Sequence, residues 1–339
     1  MTKKICISGY YGFDNFGDET ILNVLTENLK QFSCNPEITV FSKNPEKTSL
    51  LLNVKSINSF DLFKVIKSIL SCDCLISGGG SLLQDVTSIK SLIYYLFIIF
   101  IAQLFKKKVI IFAQGIGPVN NKILLILTRF ILKKADYITV RDKESYNLLS
   151  RWNIQCDILS DPVWNISAKN IEKTNKIGIQ LRKFKSLDDS FLNELSLCIN
   201  KFFSKKEICI LSLQNKMDLD VCNALKDKLT KINPDIKVQV IENTSNAKVI
   251  SDIASYSEII AMRYHACLIA IKNGVKLLPL SYDIKVVQLA EEFNIKYIDI
   301  NHCEKMKEIF EQFIGTEIKY DKEKIENLRF DFKKIEKVL

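Results

Sequence analysis

The sequence predicts an α/β protein made of two Rossmann-like, doubly wound parallel-sheet domains facing each other across a cleft. Short β-branched runs alternate with helix-length amphipathic segments. Those runs are continuously apolar, as strands buried on both faces are. The rhythm pauses once near the middle and then restarts, and 339 residues suit two domains of ~150–170 residues better than one core.

In the first half, strands are expected over 4–9 (KICISG), 37–42 (EITVFS), 74–79 (CLISGG), 109–115 (VIIFAQG) and 137–142 (YITVRD). Helical segments lie between them. One, LIYYLFIIFIAQLF over 92–105, is nearly all apolar. A membrane-spanning helix needs ~20 residues; this one is shorter, contains Gln103 and runs straight into the next strand. It reads as a helix buried between the sheet and its neighbours, with hydrophobicity enough to leave room for peripheral membrane contact. The interruption falls at 159–175 (LSDPVWNISAKNIEKTN), which has a proline and no periodicity. Strands resume over 176–182, 207–213, 237–241, 258–263, 276–281 and 296–300. The charged, helical end is expected to pack back on the first domain. The expected division is therefore 1–165, 166–320 and a terminal helix over 321–339.

Composition narrows the function. Hydrophobic residues at 47% and charged residues at 26% exclude a disordered chain. Lys plus Arg outnumber Asp plus Glu by 48 to 39, which favours acidic partners. The lysines are spread out and no basic helix or aromatic platform motif occurs, so nucleic acid is not expected. Ten cysteines are scattered without a CxxC and read as reduced thiols in a cytoplasmic protein. Two histidines and no HExxH leave no zinc site to expect. The start, MTKKICISGYYG, lacks the apolar stretch of a signal peptide.

In a parallel sheet the loops leaving the C-terminal strand ends gather on one edge, where ligands bind. GYYGFDNFGDE follows the first strand and contains Gly12 and Asn15; Gly78, Gly79 and Gly80 follow the third; Gln114 and Gly115 end the fourth. Glycines let backbone amides approach a ligand, and helix N-termini favour anions. Any one of these groups could be only a tight turn, since none fits a P-loop or a dinucleotide fingerprint. Asp18 and Glu19 read as charges favouring a helix N-terminus. In the second half a strand ends in Arg263, Tyr264 and His265, and the next leads to Lys285; Arg141 and Arg182 also follow strands directly. An apolar core has little use for Arg263 and His265 together, so they and the other strand-end cations suit a phosphorylated ligand. His302 reads as a surface residue.

GYYGFDNFGDETIL, LISGGGSLLQDVTS, AQGIGP, TVRDKES, MRYHACLIA and SYDIKV, in this order over about 5–290, resemble the polysaccharide pyruvyl transferase family. The likeness is nearest to the branch that pyruvylates the bacterial secondary cell-wall polymer anchoring surface-layer proteins. The resemblance implies a GT-B-like two-domain fold and transfer of enolpyruvyl from phosphoenolpyruvate onto two sugar hydroxyls, giving a ketal and phosphate without a cofactor. Residue by residue, the family's functional histidine falls on His265, its phosphate-binding arginine on Arg263, its strand-end arginine on Arg141 and its lysine on Lys285. Tyr264 stands where a leucine is usual and Ile284 where a proline is expected.

On this reading His265 is the general acid. Arg141, Arg263, Lys285 and Arg182 hold the donor, and the glycine loops with Asn15 and Gln114 hold the acceptor. The protein would act in the cytoplasm, with peripheral contact at the inner membrane face if its acceptor is lipid-linked. Two alternatives are a GT-B-like glycosyltransferase using a nucleotide sugar and a non-catalytic sugar- or lipid-phosphate-binding protein.

Overall fold

The computed structural model describes residues 2–166 and 171–339; residues 167–170, inside the expected interdomain stretch, lie outside the described residues. The chain forms two compact units, Met1–Ile166 with Leu328–Leu339, and Ser167–Asn327.

The first unit runs β1 (Lys4–Ser8), α1 (Phe16–Leu29), β2 (Glu37–Ser42), α2 (Pro45–Leu52), β3 (Lys55–Asn58), α3 (Leu62–Ser71), β4 (Cys74–Ser77), β5 (Gly80–Leu83), α4 (Ile89–Leu104), β6 (Lys108–Ile116), α5 (Lys122–Leu132), β7 (Tyr137–Val140), α6 (Lys143–Arg151) and β8 (Asp157–Ile158), then a 3₁₀ turn at Pro162–Asn165. All its strand pairs are parallel, in the order β3-β2-β1-β4-β6-β7-β8, with β5 beside β6. Polar residues start each helix. Asn15, Asn44, Asp61, Ser88, Asn121 and Asp142 each accept an N–H from the first turn of the helix that follows, satisfying donors that have no partner inside a helix. Short loops then bring the chain back to the next parallel strand.

One face of this sheet is sealed by α3, α4, α5 and α6 through a cluster that includes Val65, Leu96, Ile99, Leu132 and Leu149. The end of the chain closes part of the unit elsewhere. Phe330 and Phe332 pack on Phe112 with ring centroids 4.9 and 5.8 Å away, and Asn165 exchanges two hydrogen bonds with the Phe330 backbone.

The second unit runs β9 (Lys176–Leu181), α7 (Asp189–Phe203), β10 (Glu207–Ser212), α8 (Asn215–Ile232), β11 (Val238–Glu242), α9 (Asn246–Ser255), β12 (Glu258–Ala261), α10 (Tyr264–Lys272), β13 (Lys276–Ser281), α11 (Ile284–Glu292), β14 (Ile298–Asp299), α12 (Met306–Gly315) and α13 (Lys322–Asn327). Its parallel sheet is ordered β11-β10-β9-β12-β13-β14. The last helix, α14 (Lys333–Val338), belongs to the first unit, so 321–339 forms two short helices divided between the units.

Two expectations need correction. The apolar segment 92–105 lies mostly in α4, but it is not covered all round: Ile93, Phe97, Phe100 and Leu104 are exposed. The sheet lies beneath α4 and α3 and α5 flank it, which leaves its outer side to solvent. Strands β3, β5 and β8 were not expected; they are short, and two of them are only partly buried.

Phe330→Ala should lower stability by about 3 kcal/mol, because it empties a buried aromatic site. Urea unfolding followed by circular dichroism measures the loss.

Candidate functional site

In each sheet the strand order reverses at the first strand: β1 lies between β2 and β4, and β9 between β10 and β12. Ligands of doubly wound folds bind outside the carboxyl ends at such points. The residues singled out above fall into two groups, one at each edge.

The first edge is built around Tyr11, which is fully buried. A Cβ on Gly78 would fall on its hydroxyl, and one on Gly9 would meet its ring. Gly79 sits against Ile21, and Gly80 has φ +106° with Asp18 Oδ1 beside it. The glycine triplet is therefore explained inside the protein: it admits Tyr11, α1 and a left-handed backbone. Gly12 (φ +78°) packs on Ser42, and Gly115 lies near Ser81 and Asp142. Gln114 is buried and donates to Ser77 Oγ at 2.9 Å and to the Gly78 carbonyl at 2.8 Å. Asn15 caps α1. Burial and the nearby carboxylates of Asp18 and Glu19 push the Tyr11 phenol well above its ordinary value, so it stays protonated.

Glu19 does more than charge a helix end. Its carboxylate accepts the Gly12 N–H at 2.6 Å and ties the glycine loop to α1. Burial pushes its pKa up to about 7, although the Gly12 N–H acts in the other direction. Arg141, after β7, donates to Asp161 at 2.9 Å and to Ser81 at 3.3 Å, and both members of the ion pair are largely buried.

The second edge has the same device. Arg263, the residue before α10, donates through Nε and Nη2 to Asp218 Oδ2 at 3.2 and 2.7 Å and to Gln214 at 3.2 Å. Its backbone N–H reaches Gln180 at 2.7 Å. Arg182, at the end of β9, donates to the Tyr282 hydroxyl at 2.9 Å and lies over that ring, while its Nε is buried without a hydrogen-bond partner. His265 occupies the first turn of α10 and is partly buried, edge-on to Tyr264. Lys285 opens α11 behind Asp283, which accepts its backbone N–H. Arg182, Arg263, His265 and Lys285 thus come from adjacent strand ends of one sheet. Asn15, Gln114, Arg141 and the glycines share the other. His302 is exposed and paired with Asp299.

Three features escaped the sequence reading. Asp161 and Asp218 anchor the arginines, but isolated aspartates in polar stretches carry no visible signal. Tyr10 stacks on Phe13 at 4.1 Å and 4°, with Phe60 edge-on at 6.3 Å, forming a partly exposed aromatic platform. The YYGF string was its signal. Among the described residues, no cluster of three or more His, Cys, Asp or Glu side chains suits a metal.

The family model for polysaccharide pyruvyl transferase matches residues 15–284. The chain belongs to this family of transferases. No match was found among curated proteins. Among solved structures, the chain resembles UDP-GlcNAc 2-epimerase from Methanocaldococcus jannaschii with TM-score 0.67 and 13% identity, covering 100% of this chain and 98% of that one. It also resembles Anabaena Alr3699/HepE in complex with UDP and glucose (0.61, 11%, covering 99% and 97%), and S. aureus MnaA with UDP (0.59, 13%, covering 96% and 90%). At these identities the likeness concerns the fold alone: two parallel-sheet α/β domains, as in GT-B-like proteins.

Gly78→Ala should be severely destabilising, by more than about 2 kcal/mol, because Tyr11 is buried and cannot yield; thermal unfolding tests this. The folded Glu19 carboxyl holds its proton more tightly than the unfolded chain does. Its contribution is therefore present below its ordinary 4.5 and is lost as pH rises to about 7. Relative to wild type, Glu19→Gln should gain up to about 3 kcal/mol across that window. Parallel stability profiles for the two proteins would contradict the assignment.

Proposed function

We propose that this transferase moves enolpyruvyl from phosphoenolpyruvate to two hydroxyls of a sugar, forming a pyruvate ketal and releasing phosphate. The acceptor we infer is an N-acetylmannosamine residue of a lipid-linked cell-wall polysaccharide precursor. This places the reaction in the cytoplasm at the inner membrane face, in the branch that anchors surface-layer proteins. The observation that carries the reading is the convergence of Arg182, Arg263, His265 and Lys285 on one sheet edge, in a chain whose family transfers pyruvyl groups.

His265 gives a proton to the methylene carbon of phosphoenolpyruvate as general acid. A sugar hydroxyl forms a bond to the adjacent carbon and loses its proton to the imidazole. The C–O bond to phosphate then breaks, the second hydroxyl closes the ketal, and its proton leaves with the phosphate. Lys285 and Arg182 meet the donor's negative oxygens. Arg263 adds a charge whose position is set by Asp218; within the first unit Arg141 is fixed on Asp161. The aromatic pair Tyr10 and Phe13 offers the acceptor sugar an apolar face. Gly12, Gly78, Gly79, Gly80 and Gly115, with Asn15 and Gln114, shape the loops that present it.

The test supplies phosphoenolpyruvate with N-acetylmannosamine-containing acceptors. Phosphate release should match a gain of C₃H₂O₂ in acceptor mass. His265→Ala should lower turnover ~10²–10⁴-fold with circular dichroism unchanged; near-normal turnover would overturn the general-acid role. The second reading, a glycosyltransferase using a nucleotide sugar, draws on structural neighbours solved with UDP or UDP-sugars. Thermal protection by UDP and none by phosphoenolpyruvate would favour it.

A further inference from the structure

Surface helices normally turn a polar stripe to water. Helix α4 does the reverse. Its outward positions Ile89, Ile93, Phe97, Phe100 and Leu104 are all exposed and all apolar, and their steps of four, four, three and four place them on one side of a 3.6-residue helix. The next helix repeats the pattern: Ile123, Ile126, Leu127 and Phe130 form the exposed stripe of α5, with Ile123 76% and Ile126 70% accessible. The two helices pack side by side on the same face of the first sheet. On the other flank of α4, α3 adds exposed Phe63 and Leu70.

Charge says what such a face fits. From residue 86 to residue 135 the chain has eight Lys and Arg residues and no Asp or Glu. Lys90, Lys106, Lys122, Arg129, Lys133 and Lys134 are exposed around the stripes. Asp61, the acidic residue of α3, caps its own helix and is paired with Lys64. In a two-fold dimer the same patch meets itself, so its many cations would face one another with only Asp61, paired with Lys64, and Asp85, hydrogen-bonded to Asn120 and Asn121 at the start of α5, at its margin. An anionic lipid surface meets both properties at once, taking the apolar side chains below its headgroups and the lysines among them.

We propose that the outer face of α4 and α5 is a docking surface for an anionic phospholipid bilayer, on which the first unit lies with these helices parallel to the membrane. Helix α4 does not cross it. Its 16 residues reach about 24 Å against a hydrocarbon core of ~30 Å, its inner side is committed to the protein core, and no helix among the described residues is long and apolar enough to span. This inference needs neither the donor nor the acceptor assigned above, so it stands or falls separately.

Full-length protein is sedimented with vesicles of phosphatidylcholine alone and of phosphatidylcholine containing phosphatidylglycerol. It should pellet with the anionic vesicles, and added salt should release part of it. Ile126→Glu, at an exposed site, should cut the vesicle partition coefficient about tenfold or more while leaving the thermal midpoint within a few degrees. The pair Lys133→Gln and Lys134→Gln should lower it about fivefold per lysine on anionic vesicles only. The proposal fails if wild type stays in the supernatant with both vesicle types. It also fails if Ile126→Glu, folded, pellets like wild type, or if light scattering finds a wild-type dimer that Ile126→Glu dissociates and that does not bind vesicles.

Discussion

A single buried carboxylate organises the second sheet edge. Asp218 accepts the guanidinium of Arg263 after β12, the N–H of Gln214 after β10 and the N–H of Lys183 after β9. Three loops are thereby held to one another at the point where the strand order reverses. A buried carboxylate is costly unless it is paired and hydrogen-bonded; here it is both, and the geometry is correspondingly specific. Asp161 plays the corresponding part for Arg141 in the first unit. In both places the cation of a strand-end motif is positioned by an aspartate that the motif does not contain.

That pairing changes how the site cations are understood. Arg141 and Arg263 have their side chains largely withdrawn into the protein, each fixed by an ion pair with an aspartate. Arg182 is held by the hydroxyl and ring of Tyr282, and Lys285 stands at a helix start. The glycines carry a similar lesson. Three in a row suggested backbone brought close to a ligand, yet each has a neighbour in the chain that needs the space: a buried tyrosine, a helix and an aspartate.

Much of the fold was legible because it is local. Strands β1, β2, β4, β6, β7 and most of the second sheet are continuous apolar runs, and the polar residue before each of the helices α1 to α6 is its cap. The short strands β3, β5 and β8 were not legible, because KSIN, GSLL and DI become strands only when a longer neighbour supplies the hydrogen bonds. Helix α4 was visible as a helix, but its surroundings were not. A segment apolar on every side says only that it prefers to be out of water, and the arrangement of neighbours decides which side is covered.

The order of apolar runs, the caps and the motif blocks belong to the sequence, since each depends on residues within a turn or two of one another. So does the family, whose signature is a string of such blocks. What only the tertiary structure decided are the meetings across distance: Arg263 with an aspartate 45 positions earlier, Tyr11 under Gly78, Phe330 on Phe112, and two apolar stripes side by side at the surface. These depend on which strands become neighbours, and that is set by packing of the whole unit rather than by any stretch of chain read alone.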